Sequence, residues 1–259
     1  MAAELGADAV TEDAVLGGAL TLRQPKRGHR VGHDAMLLAA ATAGRSGEHA
    51  VDLGAGVGAA GLALARRVDG LAVTLVEIDP ALTALACENA ARNGLADRVR
   101  GVCLDVGAPA AAFKAAGLKA ACAERVLMNP PFNAPQNPSP DRGRRLARTV
   151  SRDTLGQWIG TAARLLRPRG VVTLIWRADG LDAVIAALAA AGCFGAVTVL
   201  PVHPKPEAPA IRVLTRAVKG GRAPLVLLPG LLLADANGKP TPRAEAVLRR
   251  GATLALAEN

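Results

Sequence analysis

An α/β fold organised on a mostly parallel sheet is what this 259-residue sequence predicts, and three observations lead there. Short runs rich in Val, Leu and Ile recur between alanine-rich stretches with helical patterning. Strand alternating with helix is the signature of parallel strands joined by right-handed crossovers. The first run ends in a glycine-rich turn that opens a helix, Val51-Asp52-Leu53-Gly54-Ala55-Gly56-Val57-Gly58. The composition, 51 % hydrophobic and 20 % charged, suits a packed core and not a disordered chain.

The first strand is read at Ala50–Leu53, ahead of the glycines, with its helix at Gly58–Val68. Ala72–Glu77 follows as a strand, then a helix at Ala81–Asn93 that Asn93-Gly94 stops. Val99–Leu104 precedes a helical stretch at Ala108–Cys122, and Arg125–Met128 precedes one at Arg152–Leu166. Arg169-Gly170 is the helix stop there, before a strand at Gly170–Trp176 and a helix at Gly180–Ala191. Strands at Val197–Leu200 and near Ile211–Ala217 close the series, with prolines at 201, 204, 206 and 209 breaking the alternation between them. The expectation is a seven-stranded, mostly parallel sheet with a C-terminal antiparallel hairpin. Residues 49–259 form one domain, residues 1–48 an N-terminal extension packed on it, and there are no internal repeats.

No unbroken apolar stretch reaches the ~20 residues that a membrane-spanning helix needs. Glu4, Asp8, Glu12 and Asp13 precede any long apolar run, which argues against a signal peptide and makes the cytoplasm the expected compartment. Cys87, Cys103, Cys122 and Cys193 are scattered without a Cys-x-x-Cys pair, and read as small core residues. His29 and His33 have ligand-like spacing but no further ligand nearby, so no metal is expected. Lys and Arg number 31 against 22 Asp and Glu, a net +9 that favours an anionic partner such as nucleic acid. Two Trp, three Phe and no Tyr leave few stacking platforms, which weighs against binding an extended single strand on an aromatic array.

Glycines let the first turn tighten and let the backbone approach a ligand. A Gly-x-Gly-x-Gly turn also opens nicotinamide-binding folds, and Ala59 satisfies the dinucleotide fingerprint, so the loop alone does not decide. Glu77, 19 residues past Gly58, suits the ribose of either cofactor. Asn129-Pro130-Pro131-Phe132, ending the fourth strand, separates the two, because no nicotinamide chemistry requires it. The Asn129 oxygen accepts from an N–H, Pro130 offers a carbonyl with no competing donor, and Phe132 offers a stacking face. Pro130 and Pro131 fix φ near about −65°, which holds these groups before a planar amine arrives.

Val51–Gly58, Val76-Glu77-Ile78-Asp79-Pro80, Asp105 and Asn129–Phe132 together resemble the class I S-adenosylmethionine methyltransferases that act on exocyclic amines. The resemblance implies a Rossmann-like domain and S-adenosyl-L-methionine as cofactor, held by Asp52, Gly54, Ala55, Gly56, Glu77, Ile78, Asp105, Val106 and Asn129. In that family the glycine loop passes under the amino-acid part of the cofactor. The acid matching Glu77 binds both ribose hydroxyls, and the residue matching Asp105 contacts the adenine amino group. A carboxylate suits a vicinal diol because it accepts two charge-assisted hydrogen bonds. Asp79, ahead of Pro80, reads as a helix N-cap.

Gln24–Ala39 is similar to the Q…GxRxxxDxxLLA segment of the bacterial tRNA adenine-N6 methyltransferases, and the similarity continues through Lys219-Gly220-Gly221-Arg222 and Gly238–Leu248. His33 stands where that family often has a small hydroxyl residue, and Phe132 where Tyr is common; Phe keeps the stacking face. The implied activity is methyl transfer to the N6 amine of an anticodon-loop adenine in tRNA, with Asn129, Pro130, Pro131 and Phe132 as catalytic residues. Arg142, Arg144, Arg145 and Arg148, after the catalytic loop, are candidate phosphate contacts together with Arg27 and Arg30, since guanidinium forks match phosphate. Protein glutamine-N5 methylation, rRNA guanine-N2 methylation and RNA binding without catalysis stay open as alternatives. The glutamine enzymes carry a sizeable helical domain before the glycine loop, whereas 53 residues precede Gly54 here.

Overall fold

The computed structural model describes residues 9–27, 30–131 and 152–257. Two strands, β1 (Val10–Val15) and β2 (Leu20–Pro25), form an antiparallel hairpin ahead of helix α1 (His33–Ala41). Strand and helix then alternate: β3 (His49–Leu53), α2 (Ala59–Arg67), β4 (Ala72–Glu77), α3 (Pro80–Arg92), β5 (Val99–Cys103), α4 (Ala110–Ala115) and β6 (Ala123–Met128). After α5 (Arg152–Leu165) come β7 (Leu166–Arg177), α6 (Leu181–Ala190), β8 (Phe194–His203) and β9 (Arg212–Lys219). Short strands β10 (Val226–Leu227) and β11 (Leu231–Leu232) and helix α7 (Pro242–Arg250) complete the order.

The main sheet runs β10-β8-β9-β7-β6-β3-β4-β5, with β11 also paired to β8. The pairs β3–β4, β3–β6, β4–β5 and β6–β7 are parallel, and β9 is antiparallel to both β7 and β8. Apolar residues alternate between the two faces, as a pleated strand requires. Ala50, Leu75 and Leu127 join one core cluster with α1, α2 and α3, while Val51, Val76, Val126 and Met128 join a second with Phe113 of α4 and with α5 and α6. The result is a three-layer sandwich with the parallel strands buried on both sides. Among the described residues, no helix is long and apolar enough to cross a membrane.

The structure corrects several expectations. The sheet holds nine strands among the described residues, because two-residue segments between Pro224, Pro229 and the loop beyond add to the edge at β8. The helix expected at Ala108–Cys122 is only α4, since Gly117 turns at φ 81° and reverses the chain. Arg169-Gly170 does not stop a helix; α5 ends at Leu165 and β7 begins at once. The β1–β2 hairpin has no counterpart among the expected elements. It docks on α3 through two asparagines that imitate a strand: Asn89 Oδ1 accepts from Arg23 N (2.7 Å) while its Nδ2 donates to Arg23 O (3.0 Å). Asn93 repeats the exchange with Thr21, at 3.0 and 2.8 Å.

Candidate active site

Register places the key segments side by side. Leu53 is opposite both Val76 and Met128, and Glu77 is opposite Cys103, so Gly54, Glu77, Leu104 and Asn129 all leave the sheet at its carboxyl edge. In open α/β sheets ligands bind in the crevice outside this edge.

The glycine turn is fastened to β4. Gly54 N and Ala55 N both donate to Val76 O at 2.9 Å, and Gly56 N donates to Glu77 Oε2 at 2.8 Å. Asp79 N donates to Glu77 Oε1 at 3.0 Å, which leaves the carboxylate oriented with further lone pairs on each oxygen. Asp79 caps α3 as expected, accepting from Ala81 N and Leu82 N ahead of the helical Pro80. Gly54 has φ 70°, and a Cβ there would lie 2.3 Å from the Trp158 indole. Only glycine fits. Trp158, half-buried on α5, therefore forms a wall of the crevice that sequence reasoning misses; its one signal there is that it is one of two tryptophans in the chain. Thr161 Oγ1 donates to Val106 O (2.9 Å), which helps hold α5 against the loop that carries Asp105.

Asn129 follows β6 directly. Its Oδ1 is buried and has no hydrogen-bond partner among the described residues. Leaving a buried acceptor unpaired costs about 1–3 kcal/mol, so an unused oxygen at a sheet edge needs a reason. Pro130 is buried and Pro131 half-buried beside it.

Asp52 lies beneath the turn, 2 % exposed, with Oδ2 accepting from Gly61 N at 2.8 Å. Burial pushes its carboxyl up from 3.8 to about 7; the hydrogen bond from Gly61 opposes this and the Glu77 charge adds to it. The folded pKa exceeds the unfolded one, so the folded state holds a proton that the unfolded chain releases. Stability is then highest below about pH 4 for this group and is lost as pH rises through about 7. At 1.36 kcal/mol per unit the upper figure is about 4 kcal/mol. Asp52→Asn keeps the acceptor for Gly61 and removes the charge. Urea unfolding from pH 5 to 8 should show the variant gaining on the wild type as pH rises; parallel profiles would refute the buried-proton assignment.

Asp105 is exposed, and its Oδ1 accepts from Gly107 N at 2.8 Å in a local turn. Val106 is buried at 4 %, and Ile78 is 47 % exposed beside Glu77. Arg27 is exposed after β2, whereas Arg30 is ion-paired with Asp13 at 2.8 Å, the same carboxylate that accepts from Gln24 Nε2. Phe132, Arg142, Arg144, Arg145 and Arg148 lie outside the described residues.

Similarity to known proteins covers much of the chain. The model of the methyltransferase small domain matches residues 29–180. A Porphyromonas gingivalis protein (strain ATCC BAA-308 / W83) named tRNA1(Val) (adenine(37)-N6)-methyltransferase is 33 % identical over 163 residues, 59 % of this chain and 60 % of that protein's length. A Bacteroides fragilis protein (strain ATCC 25285) of the same name is 29 % identical over 194 residues, covering 75 % of this chain and 79 % of its own. Among solved structures, the predicted O-methyltransferase Atu636 of Agrobacterium tumefaciens superposes with a TM-score of 0.73 at 29 % identity, over 85 % of this chain and 98 % of that one.

Proposed function

The chain belongs to the methyltransferase small domain family, and we propose that it methylates the exocyclic N6 amine of an adenine in tRNA, using S-adenosyl-L-methionine. The buried, unpaired Oδ1 of Asn129 carries this reading, because it is an acceptor held in place for a donor that the described residues do not supply.

The neighbouring residues fit the cofactor. The Glu77 carboxylate is oriented by Gly56 N and Asp79 N toward a role as ribose acceptor, exposed Ile78 offers an apolar platform for a purine, and nothing lies within 4 Å of where a Gly56 side chain would begin. Bound there, S-adenosyl-L-methionine supplies an electrophilic methyl group on a sulfonium. Asp52 and Gly54 hold the floor of this crevice, and Asp105 and Val106 its far end.

An exocyclic amine is a weak nucleophile because its lone pair is delocalised into the ring. Asn129 Oδ1 and the Pro130 carbonyl accept its two hydrogens, drawing the nitrogen toward tetrahedral geometry and freeing the lone pair. Pro131 stiffens the turn and Phe132 supplies the stacking face for the base, worth about 1–3 kcal/mol. Positioning of this kind carries most of the rate. The net charge of +9 and the relatives' names favour tRNA over a protein acceptor, with Arg27, Arg30, Arg142, Arg144, Arg145 and Arg148 as phosphate contacts.

Tritiated S-adenosyl-L-methionine offered with tRNA, ribosomal RNA and a release factor as separate acceptors tests the assignment. The label should appear in N6-methyladenosine from tRNA. Label in N2-methylguanosine from ribosomal RNA, or in the release factor, would replace it with one of the alternative acceptors.

A further inference from the structure

At the opposite edge of the sheet, a cavity of about 320 Å³ is lined by five arginines, Arg45, Arg125, Arg167, Arg169 and Arg216. Arg125 stands near the start of β6, four residues before Asn129, which is about 13 Å along the strand at ~3.3 Å per residue. The lining acids are Glu48, paired with Arg125 at 2.9 Å, and Glu124, paired with Arg167 at 2.7 Å. Among the described lining residues, five guanidinium groups stand against two carboxylates, so positive charge predominates. Arg125 Nε is buried and makes no hydrogen bond among the described residues. Partial burial, and then the charge of Arg125, hold the Arg216 guanidinium below its ordinary pKa, while Arg45, Arg167 and Arg169 are exposed at the pocket's rim.

The backbone is shaped to make this pocket. Ala123 is opposite Leu166 and Arg125 opposite Val171, so two steps along β6 are matched by five along β7. Three extra residues are looped out of β7, and the Arg167-Pro168-Arg169-Gly170 stretch supplies two of the five arginines. Arg169 takes φ 68°, a left-handed conformation that a residue with a side chain rarely adopts. Gly170 is wedged in beside it, since a Cβ there would lie 2.9 Å from Arg167 O. Bulges and strained residues of this kind concentrate where a side chain must be aimed.

We propose that this pocket is a second ligand site, separate from the methyl-transfer crevice, that takes a phosphate group. Arginine forks bind phosphate oxygens bidentately, and a lining in which arginines outnumber carboxylates favours an anion. The phosphate comes either from an RNA backbone or from a free phosphorylated compound.

Thermal unfolding of the full chain in inorganic pyrophosphate, against sodium chloride of matched ionic strength, tests the site. Binding to the folded state raises Tm progressively with ligand concentration. The wild type should show this rise, and Arg45→Ala and Arg169→Gly should lose it. Arg169→Gly should fold at least as well as the wild type in chloride, because glycine accepts the backbone angle, so its loss of the response reports the site and not the fold. Equilibrium binding of a tRNA transcript then separates the sources. If the phosphate belongs to RNA, both variants weaken tRNA binding roughly tenfold and lower the slope of log K against log salt by about one. If it belongs to a free compound, tRNA binding is unchanged while the pyrophosphate response is gone. Equal Tm in pyrophosphate and chloride for the wild type overturns the site, as does a rise that survives both substitutions.

Discussion

Asn129→Ala should lower the methyl-transfer kcat by at least about 10²–10³-fold, the range for removing one preorganised hydrogen-bonding group at a reacting centre. The unpaired Oδ1 makes the variant unusually informative. A buried acceptor with no partner destabilises the folded state, so deleting it should leave stability unchanged or raise it by about 1–3 kcal/mol. Cofactor affinity should hardly move, because Glu77 and the glycine turn stay in place. An inactive enzyme with undiminished Tm and a normal calorimetric titration with S-adenosyl-L-methionine is the expected combination. Retained turnover would remove Asn129 from the chemistry, and a large drop in Tm would make its role structural.

Glu77→Gln should act on the other side of the crevice. The carboxylate accepts from Gly56 N and Asp79 N, and a glutamine NH2 would set a donor against one of these two donors. On the proposed reading it also gives up one charge-assisted bond to the ribose, worth about 1.5–3 kcal/mol. At 1.4 kcal/mol per decade, the Kd for S-adenosyl-L-methionine should rise about 10- to 150-fold. At saturating cofactor kcat should largely recover, since the amine acceptor proposed at Asn129 is untouched. Calorimetry reads the first effect and initial rates the second; an unchanged Kd would separate Glu77 from the ribose.

The parallel core is legible in the sequence because its strands are buried on both faces and so read as mostly apolar runs, broken only by single polar residues such as Asp52 and Thr74: Ala50–Leu53, Ala72–Glu77 and Arg125–Met128 all fall within observed strands. The β1–β2 hairpin is not, although Val10–Val15 shows the half-buried alternation of a strand beside a Leu16-Gly17-Gly18 turn. Its polar positions, Thr11, Glu12 and Asp13, hide the pattern, and its docking depends on Asn89 and Asn93, some 70 positions later. The helix boundaries near Pro109 and Gly117 yield to turn chemistry that a run of alanines conceals.

Around the site, Gly54, Glu77 and Asn129 stand out in the sequence because each residue type suits the purpose proposed for it, namely close backbone approach, diol recognition and amine recognition. Trp158 does not, because its importance comes from a helix packing across the turn at Gly54, which no local spacing encodes. Asp52 is visible as the acid before the glycines, but the structure puts it under the turn, tied to Gly61, where burial sets its protonation. Arg30 illustrates the same limit, since its pairing with Asp13 depends on how the chain doubles back.

The most direct test of the central claim is a crystal structure with S-adenosylhomocysteine and adenosine bound together. The thioether sulfur and the adenine amino group should share the crevice between Gly54 and Asn129, with the amino nitrogen donating to Asn129 Oδ1 and both ribose hydroxyls of the cofactor product on Glu77. An Asn129 side chain turned away from the amine, or a cofactor product seated elsewhere along the edge, would contradict it.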